Sequence, residues 1–377
     1  LNVVIGVTVW LAAGRVAGVA TTDEPPEVES APRATESGYV QLGLFVSGAT
    51  VMAFEIVVTR VLALIFGVSA YAFTIVLAVF LLGLGIGALL YERWAARRAV
   101  RAVHFAWLQL VLTAVGVGLI AWLPAVPRWV LYLRQSPGLG FWELLLGKTL
   151  LAALFVLPLA IVAGLGLPLL IGSLVREIGE IGRVVGRAYL VNTVGTITGS
   201  LATGFLLISW LGTEGTLRAV LAVNLAVGLA GCLWLLRSIG GRAVAVALTV
   251  VVAAAGLSLD RWPPRLFINS DTDGSHTVAA TPLEVEDQLR STPNRILFFR
   301  EGRNATVAVT ETPTVRSLLV NAHPDGSDSD ADMATQVMLG AIPLTLHPDP
   351  RDVLVIGFGT GVSTRSAARL STVERID

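Results

Sequence analysis

Apolar residues run almost unbroken through 1–20, 39–66, 70–91, 103–123, 141–172, 188–210, 214–236 and 243–259, and charged residues collect between these runs and after 260. A helix crossing the hydrocarbon core of a bilayer needs about 20 such residues. The pattern therefore predicts seven full spans and one partial span at the start. From Arg261 the texture changes: Trp262-Pro263-Pro264 stops a helix, charges return, and alternation with a period of two appears. Segments 295–302, 305–311 and 316–322, separated by turn-prone residues, predict an antiparallel meander. The Asp- and Ser-rich stretch 325–332 reads as a loop. A helix is expected from about Met333 to Pro348, and then a buried strand over Val353–Ile356.

Composition sharpens this picture. Of 377 residues, 54% are apolar and 14% charged, against about 25% charged in an ordinary soluble domain. A multi-pass membrane protein follows. Lys+Arg and Asp+Glu are both 27, so no basic surface attracts nucleic acid. Cys232 is alone and inside an apolar run, and His104, His276, His323 and His347 lack ligand spacing. Neither a disulfide framework nor a metal site is expected.

The opening segment ends in small residues, as a signal peptide does, but has no basic start. It also matches 223–242, with Asn2 and Gly6 in register with Asn224 and Gly228. It is expected to be the end of an earlier membrane repeat, within a protein incomplete at both ends. Arg93, Arg97, Arg98 and Arg101 crowd one loop, Arg176, Arg183 and Arg187 a second, and Arg237 and Arg242 a third; the alternate loops offer mainly Arg128 and Arg134. Positive residues mark cytoplasmic loops, and continuing the parity through 243–259 exports the C-terminal part. A break of 141–172 at Pro158, Gly164, Gly166 and Pro168 into a span plus a re-entrant piece would reverse that result, as would failure of 243–259 to cross.

Glu55 and Arg60 lie in the first full span, where a charge is costly. Five helical positions separate them by about 140°, so they cannot share a face. Partners on neighbouring helices are expected. A substrate or proton path and a structural interhelical pair both fit. Gly83/Gly87 and Gly195/Gly199 have the spacing that lets helix backbones approach closely, and Lys148 and Asn192 add polar points.

After the strand at 353–356 come Gly357, Gly359 and Gly361. Glycines here permit a tight turn and bring backbone N–H groups near a nucleoside and its charged tail. Val362 stands where a dinucleotide fingerprint would have its third glycine, so the pattern is instead the first motif of an S-adenosylmethionine-type fold. A glycine turn without a ligand is the plain alternative. An acidic residue for the ribose hydroxyls is expected just past Asp377. The expected fold class is a multi-pass α-helical membrane bundle followed by a small β-meander subdomain and the start of an α/β Rossmann-like fold. Its units are a partial span 1–20, a linker 21–38, the bundle 39–260, the meander 261–331 and a nucleoside-binding part 332–377.

The stretches beginning "SGATVMAFEIVVTR", "GRAYLVNTVGTITGS", "ILFFREGRNATVAVT" and "DADMATQVMLGAIPLTLHPDPRDVLVIGFGTG" together resemble the membrane-embedded spermidine synthase-like family, in which a transporter-like bundle is fused to a polyamine aminopropyltransferase domain. The resemblance implies transfer of an aminopropyl group from decarboxylated S-adenosylmethionine, a co-substrate rather than a prosthetic group, to a diamine such as putrescine. It implies cofactor contacts at Gly357, Gly359 and Gly361 and a catalytic aspartate beyond Asp377. Two departures stand out. Thr360 replaces an aspartate of the soluble enzymes, and Thr335, Gln336 and Val337 replace their Tyr-His-Glu run. A transporter or sensor with a degenerate synthase-like domain is therefore the other expectation. The lipid bilayer is the expected partner, with the soluble part in the cytoplasm, where the co-substrate is made. Oligomeric state is not legible.

Overall fold

A computed structural model of the chain describes residues 34–67, 69–96, 99–136, 138–174, 181–264, 268 and 295–377. The opening span, most of the expected linker and Arg97, Arg98 and Arg176 lie outside the described residues. The helices are α1 (Ala34–Phe66), α2 (Ala70–Ala95), α3 (Ala102–Trp122), α4 (Val126–Gln135), α5 (Phe141–Gly164), α6 (Gly166–Leu174), α7 (Ile181–Leu201), a π turn (Ala202–Leu207), α8 (Ile208–Leu235) and α9 (Ile239–Ser258). Residues 34–38, expected as linker, form the first turn of α1.

Among the described residues six continuous helical stretches are long and apolar enough to cross a membrane. The stretch Ile181–Leu235 unites two expected spans. It nevertheless folds back on itself, because Gly212 has φ 73° and ψ 175°, a conformation outside the helical region. Register shows the reversal. Gly195 and Gly199 of α7 abut Phe45 and Ala49 of α1, so these helices are parallel, whereas Tyr39, near the start of α1, donates a hydrogen bond to the Val227 carbonyl late in α8. α8 thus descends beside α1 and α3.

Both spaced glycine pairs sit at close crossings. Gly83 and Gly87 meet Ala160, Ile161 and Gly164 of α5, as Gly195 and Gly199 meet α1. Backbones come together where side chains are absent. Phe54, Phe66, Phe80 and Phe105 are fully buried between the helices. Leu81, Leu82, Leu150, Leu154, Ile197, Val250 and Val251 face outward and stay exposed, an apolar belt suited to lipid rather than water.

The run 141–172 breaks at Leu165, between Gly164 and Gly166, while Pro158 remains inside α5. Among the described residues no re-entrant turn results. α6 carries on in the same sense, with Gly166 beside Ser47 and Phe105, and Gly172 beside Tyr91 and Val100 at the far end.

Beyond the bundle, β1 (Arg295–Glu301), β2 (Thr306–Glu311), β3 (Arg316–Val320) and β4 (His323–Ser327) form an antiparallel sheet in chain order. Part of the expected loop 325–332 is thus a fourth strand: Pro324 pairs with Leu319 and Ser327 with Ser317. Its polar sequence hides it, since an edge strand needs no buried face. Ala308 and Leu319 pair across β2–β3 and are buried with Ile268. α10 (Asp330–Leu346) follows, then β5 (Asp352–Val353), α11 (Val362–Ala368) and β6 (Arg375–Ile376), with β5 and β6 parallel.

The sheet is fastened to one end of the bundle. The Arg60 guanidinium donates to the carbonyls of Gly302 (2.7 Å) and Arg303 (3.3 Å) and to Thr306 Oγ1 (3.3 Å). Glu301 accepts from the Thr213 backbone N–H (2.7 Å) and hydroxyl (2.5 Å), gripping the first residue after the Gly212 bend. Trp262, expected outside the bundle, is buried against it: its indole N–H donates to the Ile120 carbonyl and its backbone N–H to Glu214. Glu214 also pairs with Arg218 at 2.7 Å, and Arg218 in turn caps the Gly256 and Leu259 carbonyls. The helix directions put Arg93, Arg101, Arg183, Arg187, Arg237 and Arg242 at the opposite end.

Candidate functional site: a glycine turn beside α10

Hydrogen bonds extend the parallel pairing past β5 and β6. The Asp377 N–H donates to the Val353 carbonyl (2.9 Å) and the Val355 N–H to the Asp377 carbonyl (2.8 Å). The chain then turns through three glycines with left-handed φ: 92° at Gly357, 52° at Gly359 and 79° at Gly361. L-residues avoid this region. A Cβ at Gly357 or Gly359 would meet nothing within 4 Å, so conformation alone demands glycine there; at Gly361 it would strike the Phe358 ring. Gly361 closes the turn by donating to the Phe358 carbonyl and caps α11.

The strand was expected to be buried. Instead Leu354 and Ile356 are 71% and 91% exposed. A parallel strand is buried when helices cover both faces, and among the described residues α10 and α11 cover one. A cavity of about 710 Å³ lies there, bounded by Leu339, Pro343, His347, Arg351, Val355 and Ser363 among others.

The two departures noted from the sequence are brought together. The Thr360 hydroxyl donates to Gln336 Oε1, Gln336 Nε2 donates to the Ser327 carbonyl (3.0 Å), and Ser363 Oγ donates to the Gln336 carbonyl (2.9 Å). Gly340 presses on the Ser363 backbone, and Gly326 lies against Thr360 and Gln336. The glycine turn is thereby held against α10 and the end of β4 by neutral groups. Ser327, Ser363 and Gly340 carried no sequence signal: the Ser363 contacts with Gln336 and Gly340 span more than 20 positions, and Ser327 takes part through its backbone carbonyl, which no side chain announces.

The two charged candidates of α1, Glu55 and Arg60, separate. Arg60 is committed to the β1–β2 turn, not to a neighbouring helix. Glu55 is half-buried and makes no hydrogen bond or ion pair among the described residues. Glu55→Gln is expected to change the unfolding temperature in detergent by under about 2 °C, since no partner is lost, while altering any solute-dependent activity. A large loss of stability without an activity change would establish a structural pair.

No protein-family profile matches the chain. No solved structure matches it significantly. It is similar to curated proteins named polyamine aminopropyltransferase. The one from Corynebacterium efficiens is 26% identical over 337 residues, covering 86% of this chain and 56% of that protein. The Streptomyces coelicolor polyamine aminopropyltransferase 2 is 27% identical over 357 residues, covering 90% and 57%. The Mycobacterium tuberculosis protein is 25% identical over 330 residues, covering 86% and 57%. The chain thus spans just over half the length of the curated relatives it matches.

Proposed function

We propose that the chain belongs to a membrane-bound spermidine synthase-like protein that transfers an aminopropyl group from decarboxylated S-adenosylmethionine to a diamine such as putrescine. The carrying observation is the triple left-handed glycine turn between a parallel strand and a helix, preceded by an antiparallel meander. Similarity along most of the chain to proteins named for this reaction supports it. In this reading residues 332–377 begin a Rossmann-like unit whose turn receives the nucleoside and its charged tail. The diamine nitrogen forms a bond to the aminopropyl carbon as the carbon–sulfur bond breaks, leaving a neutral thioether. The proton shed by nitrogen goes to an aspartate beyond Asp377. Holding the two substrates in line supplies much of the rate.

A second reading rests on the Gln336–Thr360 bond. Where the soluble enzymes carry charged or ionisable groups, two neutral side chains satisfy each other, and fewer groups remain to hold a cationic diamine. The bundle would then move or sense a solute, and the fused domain would be catalytically silent. Titrating the full-length protein with decarboxylated S-adenosylmethionine, S-adenosylmethionine and putrescine separates the readings. Binding of the decarboxylated nucleoside and the diamine supports the enzyme; binding of none supports the transporter or sensor.

We place the sheet on the cytoplasmic side, because its ligand is made there, although the arginine-rich loops stand at the other end of the bundle. A cysteine at Thr314, an exposed position in the β2–β3 turn, tests this in intact cells. The expected result is no labelling by an impermeant thiol reagent until the cells are opened. Buried Cys232 serves as the silent background. Rapid labelling from outside would reverse the placement and remove most of the case for the enzyme.

A further inference from the structure

A buried hydroxyl in the bundle lacks a partner. Thr203 is 1% exposed, and its Oγ1 makes no hydrogen bond. A threonine within a helix can return its hydroxyl to the carbonyl four positions back, as Thr196 does to Asn192 at 2.9 Å. Thr203 does not, and it stands in the π turn, where the Ile208 N–H reaches back five positions to the Thr203 carbonyl. Turns of this kind are frequent at functional sites.

Register shows what faces it. α1 and α7 run parallel, and a Cβ at Gly48 would strike the Asn192 carbonyl and Thr196 Oγ1. Glu55 follows Gly48 by the same seven positions that separate Thr203 from Thr196. Seven residues complete two helical turns to within about 20°, so the flank on which Gly48 meets Thr196 returns two turns later with Glu55 and Thr203 at one level. Thr59 lies one turn further along the same flank of α1. Glu55 is about 16 Å of helix from the end of α1 at Phe66, a depth within the hydrocarbon. The cations at that end of the bundle are engaged elsewhere: Arg60 holds the sheet, and Lys148 donates to the Phe66 carbonyl at 2.7 Å. A carboxylate at this depth without a counter-charge is costly.

We propose that Glu55 and Thr203 bind a sodium ion between α1 and the π turn, the carboxylate offsetting its charge and the hydroxyls of Thr203 and Thr59 adding neutral oxygen. One carboxylate balances one positive charge, which favours a monovalent ion, and oxygen donors suit a hard cation. Helices that depart from regular geometry inside a membrane are a setting in which such ions are held. The site is independent of the reaction assigned to the C-terminal part. The test is equilibrium binding of radioactive sodium ion to the full-length protein in detergent, in choline buffer free of other metal ions. The wild type is expected to bind one sodium ion per chain, saturably. Thr203→Val, which keeps the size and removes the hydroxyl, should weaken binding about tenfold, Thr203→Ser should bind as the wild type does, and Glu55→Gln should not bind. Helix content and unfolding temperature in sodium-free buffer should be the same for all four, which separates loss of the site from misfolding. Absence of saturable sodium binding by the wild type would leave Glu55 neutralised by a proton alone and overturn the assignment, as would wild-type affinity in Thr203→Val or Glu55→Gln.

Discussion

Gly359→Val is expected to weaken nucleoside binding by the full-length protein about 30-fold or more while leaving the bundle folded. The residue sits at φ 52°, and a β-branched side chain in that region costs about 2 kcal/mol or more, which is about 30-fold in a binding constant. The space around the position is open: a Cβ there would touch nothing within 4 Å. Gly359→Asn should therefore retain most of the affinity, since asparagine tolerates a left-handed backbone. Calorimetric titration with decarboxylated S-adenosylmethionine checks both variants. Equal binding by the valine variant would reduce the glycines to a plain turn.

Gly199→Val is expected to be the most damaging single change in the bundle. An added Cβ would lie 2.5 Å from Ala49 Cα and 2.7 Å from its carbonyl carbon, so α1 and α7 would have to separate. Overpacking of this kind costs about 3 kcal/mol, and the loss should spread along the whole parallel contact. Gly85→Ala is the control: it lies in a helix with nothing within 4 Å and should be neutral or slightly stabilising. Thermal unfolding in detergent compares the two. A valine variant as stable as the control would show that the crossing is loose.

Local patterns were legible, and contacts between distant segments were not. The long apolar helices follow from the apolar runs and the meander from alternation, whereas the bend at Gly212 shows in the sequence only as a gap between the runs 188–210 and 214–236. β4 was missed because His323–Ser327 has no apolar alternation and pairs through backbone groups. Sequence spacing sees only nearby helices and so points Arg60 to partners in the bundle; its acceptors are 242 to 246 residues away. The glycine turn was found from residue type alone. Its clasp on Gln336 was not, because the neutral side chains at 336 and 360 gave no reason to expect that they touch. Leu354 and Ile356 read as buried because an apolar run resembles a central strand whether or not a second face is covered.

The fastening of sheet to bundle bears on how the protein can be taken apart. Glu301 caps a helix that belongs to the bundle, Arg60 reaches out of the bundle to hold a hairpin, and Trp262 reaches back in. Excising residues from 295 onward would leave the Gly302 and Arg303 carbonyls without their guanidinium and expose Glu301 to water without Thr213. The two parts are thus better regarded as one folding unit than as an anchor with a detachable head, and the glycine turn inherits a fixed orientation to the helix axes through a sheet that cannot swing on a tether.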